Sequence, residues 1–323
     1  MQAALIGLGT MGPGIAATLA RSGMTVRVTD TNEQALARAP AAIAEAWRVL
    51  DQLDTPPQDN SDPNSNDQDS RAAVTVHATL AEAASGAELV IENVSERLEI
   101  KQAVFTELEQ HVTADCILAS DTSGIPISDL QQGLQHPARV VGMHWSNPPH
   151  IIPMIEVIAG AQTDPEVVTA TAEIIRSLGL LPVLVKKDVP GFVENRILYA
   201  IMREAVDLVE QGVIEPEALD ACVSWGIGYK LSVIGPMALL DMAGLDIYQA
   251  VAGYLNQNLC NRADVSPWIK ARTEAGQLGL KSGAGVYQYT TEQVGELRAE
   301  RAQRLVAVRH ALASKLNTET GQE

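Results

Sequence analysis

Only three cysteines (Cys116, Cys222 and Cys260) occur in 323 residues, scattered and odd in number. That excludes a disulfide framework and a CxxC metal site, implies no metal, and fits a reducing compartment such as the cytoplasm. Basic residues are also scarce: 23 Lys and Arg stand against 40 Asp and Glu, a formal net charge of −17. Nucleic acid and anionic membrane surfaces bind basic faces, so neither is expected as a partner. No apolar run approaches the roughly 18 residues of a membrane span. Nor does a basic leader with a cleavage site precede the first strand-like run. What remains, 46% hydrophobic and 20% charged, fits a globular protein with a real core, long enough for two domains.

The chain opens with an apolar run, Gln2 to Ile6, that ends in Gly7-Leu8-Gly9-Thr10-Met11-Gly12. A small-residue helix and a second strand ending at Asp30 follow, which is the strand–turn–helix–strand context that a G-x-G-x-x-G loop requires. Gly7 makes the tight turn, Gly9 lets the backbone approach a pyrophosphate, and Gly12 lets helix and strand pack closely. Amides at the helix N-terminus, after Thr10 and Met11, hold the phosphate charge. Asp30 suits the adenosine ribose and would repel a 2′-phosphate, so NAD is expected rather than NADP. It suits equally the N-cap of the helix that starts near Asn32.

That helix, 32 to 50, contains Pro40, which predicts a kink or a split. Residues 51 to 70 carry six aspartates, three prolines and no basic residue, a solvated insert that serves as a substrate rim or a plain surface loop. Strand and helix patterns then alternate to Val185. This predicts an α/β fold, a Rossmann-type doubly wound parallel sheet, with ligands beyond the carboxyl ends of the strands. After Asp188 only helical periodicity continues, with a brief strand-like return at Gly285-Val286-Tyr287, so a smaller all-helical domain follows. The expected divisions are 1–187 for the dinucleotide-binding domain, 188–290 for the helical domain and 291–323 for a charged helical tail.

Polar clusters fall at three predicted strand ends: Glu92-Asn93, Ser120 to Ser123, and His144 to Asn147. His144 closes one apolar run and Glu156 lies inside the next, the material for an oriented general base. A histidine capping a core strand is the alternative reading of His144 alone. Asn195, in the first turns of a long helix, reaches the same crevice or stays in solvent.

With these residues in place the chain resembles the L-3-hydroxyacyl-CoA dehydrogenase family over roughly residues 1 to 290. The matching pieces are G-L-G-T-M-G-P-G-I-A, the Asp30 strand end, A-S-D-T-S-G, G-M-H-W-S-N-P, E-V-I, D-V-P-G-F-V-E-N-R and G-L-K-S-G-A-G-V-Y. The resemblance implies NAD-dependent interconversion of a 3-hydroxyacyl substrate and its 3-oxo form. It makes His144 the catalytic base and Glu156 the carboxylate that orients it, with Ser123 and Asn195 as polar groups beside the reacting centre. Glu92, Arg97, Asn147 and Lys281 then touch the cofactor, and two copies pair through the helical domain.

Several residues depart from the family pattern. Trp145-Ser146 replaces an aromatic pair, and Asn147-Pro148 is followed by Pro149-His150, a pattern closer to relatives acting on free hydroxy acids, such as L-gulonate 3-dehydrogenase and diketoreductase. Asp121 stands for a usual Asn and Gly124 for a usual Ser. The acidic insert offers no cation for CoA phosphates, so a free 3-hydroxy acid such as L-gulonate, carnitine or a diketo acid is the alternative substrate. His150 is read equally as a substrate contact or a surface residue. Two other classes share the N-terminal motif. The 6-phosphogluconate and β-hydroxyacid dehydrogenases place a lysine where this chain has Asn195-Arg196, and a non-catalytic dinucleotide sensor would not need Ser123, His144, Glu156 and Asn195 together. Replacing Asp30 by Ala is expected to narrow the preference for NAD over NADP in steady-state assays; an unchanged ratio would remove the ribose role.

Overall fold

Eight short apolar segments become strands because alternate side chains of each can be buried on opposite faces of one sheet. The computed structural model describes residues 1–54 and 74–320. Strands β1 (Gln2–Ile6), β2 (Thr25–Thr29), β3 (Val74–Val76), β4 (Leu89–Glu92), β5 (Ile117–Ser120), β6 (Val140–Trp145), β7 (Met154–Ala159) and β8 (Leu181–Val185) lie in the order β3-β2-β1-β4-β5-β6-β7-β8. All neighbours are parallel except β6 and β7. This is the expected doubly wound α/β sheet.

The two faces carry two cores. Leu5, Leu89, Ile91, Val141 and Met143 pack on one side, with Ile15 and Leu19 of helix α1 (Gly12–Arg21) and Ile43 and Trp47 of helix α2 (Glu33–Asp54). Their neighbours Ala4, Ile6, Val90, Val140 and Ile158 face the other side, with Phe105, Leu108, Ile127 and Phe192. Each aliphatic side chain so enclosed contributes roughly 1.5–3 kcal/mol relative to exposure. His144 and Glu156 follow the alternation onto this second face.

Helix α2 differs from expectation by running unbroken through Pro40. Its apolar stripe (Ala39, Ile43, Ala46, Trp47, Leu50) is buried, and that packing outweighs the lost backbone bond. It also extends to Asp54, so only 55–70 of the acidic insert lie outside the described residues.

The chain divides into two compact units, Met1–Asn195 with Ala302–Glu323, and Arg196–Arg301. The division thus falls eight residues later than the expected 187, inside the helix Glu194–Glu210. The end of the tail belongs to the first unit instead of standing apart. There Arg309 donates to the Ile151 carbonyl at 2.8 Å, His310 meets the Leu53 carbonyl at 3.0 Å, and Val306 is buried. The second unit is helical, as expected. Gly244, at φ 95°, separates the helices Pro236–Ala243 and Leu245–Leu255. The strand-like stretch at 285–287 forms no strand; isolated bridges flank it, Gly279 with Ala284 and Ala284 with Gln288. Arg262, facing Asp207 and Glu210, ties the unit together.

The glycine loop predicts two contrasting outcomes. A Cβ on Gly12 would run into the Gly7 carbonyl, whereas one on Gly9 would meet nothing within 4 Å. Gly12→Ala is therefore expected to destabilise by about 1–3 kcal/mol. Gly9→Ala should unfold within about 0.5 kcal/mol of the unaltered protein but bind NAD more weakly, as thermal unfolding with and without NAD would show.

Candidate active site

Register builds the site. In the antiparallel pair β6/β7, His144 lies directly opposite Glu156, and directly opposed side chains on one face are within touching distance. His144 Nδ1 and Glu156 Oε2 are 2.8 Å apart, with side chains only 6% and 1% exposed. The other Glu156 oxygen accepts from the backbone amides of Val193 and Glu194 at 3.0 and 3.1 Å.

Those two amides are aimed by the turn that follows Pro190. Gly191 has φ 75° and Phe192 φ 46°. A left-handed bulky residue is uncommon and strained, and such strain gathers at functional sites. Phe192 is fully buried, its ring centroid 5.8 Å from that of His144. The long helix begins only at Glu194, because 190–193 are spent on this turn.

Burial alone would push Glu156 upward, but the His144 hydrogen bond and the Glu194 and Val193 amides outweigh it and hold the carboxyl below its ordinary value. Burial pulls His144 down. The Glu156 hydrogen bond and the nearby Asp121, Glu156 and Glu194 charges overcome it and raise the imidazole above its ordinary value. Asp121 contributes little of this at neutral pH. Enclosure pushes it up to about 8, against the Trp145 amide that it accepts at 2.8 Å. A mostly protonated Asp121 offers the same neutral, amide-accepting group as an asparagine. The two remaining carboxylates are what favour imidazolium.

Ser123 and Asn195 are brought together: Asn195 Nδ2 donates to the Ser123 carbonyl at 2.8 Å. The exposed hydroxyl of Ser123 has no hydrogen-bond partner among the described residues. Their turn is held by Glu96, whose Oε1 accepts from Thr122 Oγ1 and from the Ser123 and Gly124 amides. Although burial opposes it, the Thr122 bond and Lys101 hold Glu96 below its ordinary value. Glu96 was missed in the sequence because its partners lie 26 to 28 residues away. A second miss is Glu194, whose Oε1 accepts from Ser146 Oγ at 2.6 Å.

The glycine loop fits a dinucleotide. Gly7 has φ 110° and lies against the Asn93 backbone, and Gly12 lies against Gly7. Gly9 and Thr10 are exposed, Met11 half-buried, at the start of α1. Asp30 accepts from the amides of Leu8 at 2.6 Å and Asn32 at 2.7 Å, tying the loop to the end of β2. The cap of α2 is Asn32, accepting from Gln34 and Ala35.

Other expected residues are dispersed. Glu92 is wholly enclosed, its carboxylate taken by Lys101 at 2.8 Å, Ser120 at 2.6 Å and the Val94 amide at 2.7 Å. It has no exposed surface for a cofactor, contrary to expectation, and instead ties β4 to β5. Arg97 is exposed at the start of the helix Leu98–Leu108, 3.9 Å from Glu99. Asn147 is exposed after β6, and Lys281 is exposed in the second unit. His150 lines a cavity of about 220 Å³ with Thr18, Arg21 and Arg309, and its Nδ1 lies against Gly14.

A doubly wound sheet with a tight glycine turn beyond β1 and a paired imidazole at the end of β6 has the architecture of the nucleotide-dependent oxidoreductases. The chain is a member of the 3-hydroxyacyl-CoA dehydrogenase family: its NAD binding domain matches residues 2–189 and its C-terminal domain residues 191–289. The activity is accordingly an NAD-dependent oxidoreductase activity. The 5-formyl-3-hydroxy-2-methylpyridine 4-carboxylate 5-dehydrogenase of Mesorhizobium japonicum is 56% identical over 97% of this chain and 98% of its own. A crystal structure of a dehydrogenase of that name, described as an NAD+ dependent dismutase, superposes with a TM-score of 0.89. It is 55% identical and covers 97% of this chain and 98% of its own. A probable 3-hydroxybutyryl-CoA dehydrogenase of Deinococcus radiodurans is 36% identical over 90% of this chain and all of its own.

Asp121 yields a stability prediction. Its folded value of about 8 exceeds the unfolded 3.8, so the folded protein binds the extra proton between those pH values. Stability attributable to Asp121 therefore falls as pH rises through that window. Asp121→Asn keeps the acceptor for Trp145 and should unfold alike at pH 4 but a few degrees higher at pH 8. A gap in melting temperature that does not widen with pH would contradict the burial argument.

Proposed function

We propose that this protein oxidises the formyl group of a free pyridine carboxylate, the substrate type named for its Mesorhizobium japonicum relative, rather than a CoA thioester. The observation that carries the reading is the extent of the likeness. At 56% identity it runs over 314 residues, past the family's own limit at 289, whereas the 3-hydroxybutyryl-CoA relative stands at 36%. The acidic sequence of the 51–70 insert, with no cation for CoA phosphates, favours the same side.

The chemistry follows from the pair at β6/β7. A hydrated aldehyde presents a hydrogen and a hydroxyl on one carbon, as a secondary alcohol does. His144 takes the hydroxyl proton, and Glu156 fixes its tautomer and favours the imidazolium that forms. Bound NAD supplies the hydride acceptor. Ser123 and Asn195 hold the substrate oxygen by hydrogen bonds. Gly7, Gly9, Thr10, Met11 and Gly12 hold the pyrophosphate, and Asp30 the ribose. Asn147, Arg97 and Lys281 supply further cofactor contacts.

The same reading makes the protein a cytoplasmic homodimer. In its support, Trp225, Met237 and Met242 of the second unit are 72–76% exposed, and large exposed apolar groups in number mark protein interfaces. Among the described residues no single helix is long and apolar enough to cross a membrane.

The substrate assignment is tested by NADH formation with 5-formyl-3-hydroxy-2-methylpyridine 4-carboxylate, 3-hydroxybutyryl-CoA, L-gulonate and L-carnitine. The aldehyde should give the highest kcat/KM, and a preference for the thioester would reverse the proposal. His144→Gln should lower kcat by about 100-fold or more, within the span of general-base catalysis, while NAD affinity stays nearly unchanged. A large loss of NAD binding would remove His144 from the role of base.

A further inference from the structure

Two carboxylates, Glu156 and Glu194, stand at His144, and they are used differently. A His144 ring nitrogen and one carboxylate oxygen from each lie within 4.8 Å of one another. Glu156 has both oxygens committed, to the imidazole and to two backbone amides. Glu194 is committed through Oε1 alone, to Ser146. Its Oε2 is buried and has no hydrogen-bond partner among the described residues. Leaving a buried acceptor unmatched is costly, the more so for a charged group. Beside a catalytic imidazole, such an atom is placed where a ligand can bring the donor.

The aldehyde reading identifies that donor by its chemistry. A secondary alcohol carries one hydroxyl on the reacting carbon, and a hydrated aldehyde carries two. His144 accounts for the first. Glu194, with one carboxylate oxygen within 4.8 Å of a His144 ring nitrogen, is the neighbouring group with an acceptor left for the second.

We propose that Glu194, held in place by Ser146, accepts the second hydroxyl of the hydrated aldehyde and thereby selects that form for oxidation. This rests on the aldehyde reading given above. The balance is RCH(OH)2 + NAD+ → RCOOH + NADH + H+. One hydroxyl loses its proton to His144, the C–H electron pair leaves as hydride, and the carbon–oxygen double bond forms. The second hydroxyl stays on carbon and becomes the hydroxyl of the acid, bonded to Glu194. Reduction of the unhydrated aldehyde by NADH involves a single oxygen, so it makes no such demand on Glu194. The two reactions of one aldehyde therefore separate the role of this side chain from a general one.

The test uses the full-length protein and three variants, Glu194→Met, Glu194→Gln and Ser146→Ala. NADH formation and NADH consumption are both followed with 5-formyl-3-hydroxy-2-methylpyridine 4-carboxylate. Losing a hydrogen bond to a charged group should lower kcat/KM for oxidation by about 10- to 100-fold in Glu194→Met, and the ratio of oxidation to reduction should fall at least about tenfold. Glu194→Gln keeps the shape and one acceptor oxygen and should lie between. Ser146→Ala, which frees the carboxylate to turn, should lower the ratio less than Glu194→Met. A parallel fall of both reactions, or an unchanged ratio in Glu194→Met, would overturn the assignment while leaving the substrate in place. If the unaltered protein turns over 3-hydroxybutyryl-CoA but does not oxidise the aldehyde, the substrate reading fails, and the proposal with it.

Discussion

Burying an ionised carboxylate among apolar strands is tolerable only if donors meet its oxygens, and much of this site can be understood as the supply of donors to Glu156. One comes from β6, because the antiparallel register sets His144 opposite. Two come from the amides of Val193 and Glu194, which the chain can present only by turning sharply after Pro190. The left-handed Phe192 is where that turn stores its strain. The fully buried Phe192 ring, packed against the imidazole, holds the strained conformation in place.

The same constraint orders the polar groups around it. Asp121 sits beneath the end of β6 as a mostly neutral side chain accepting the Trp145 amide, so it shapes the strand end without adding a full charge. Glu92 and Lys101 neutralise each other inside the sheet, joining β4 to β5 through Ser120. Breaking such a buried pair leaves a charge without compensation and is costly, even where the intact pair adds little net stability. Glu96 repeats the arrangement at the surface, collecting the 122–124 turn that carries Ser123. Against these satisfied carboxylates, the uncommitted oxygen of Glu194 stands apart.

The glycine loop, the alternation of strands and helices and the all-helical second half were readable from residue spacing, and the pairing of His144 with Glu156 from the family resemblance. They rest on short-range rules: periodicity, glycine geometry and the order of motifs along the chain. Pro40 misled because its local cost is real and only the buried stripe of α2 offsets it. Glu92 misled differently. A polar strand end reads as a ligand contact, and nothing local announces that Lys101 will fold back over it.

The sequence by itself determined the fold class, the cofactor and the family, because each depends on patterns confined to a few consecutive residues or repeated in order. Only the tertiary structure decided which carboxylate oxygens are spent and which, such as Glu194 Oε2, are left uncommitted. Glu156 is 37 and 38 residues from the amides it accepts, Ser146 is 48 from Glu194, and Ile151 is 158 from Arg309. Hydrogen-bond satisfaction at such separations follows from strand register and turn geometry, which no stretch of the chain carries alone.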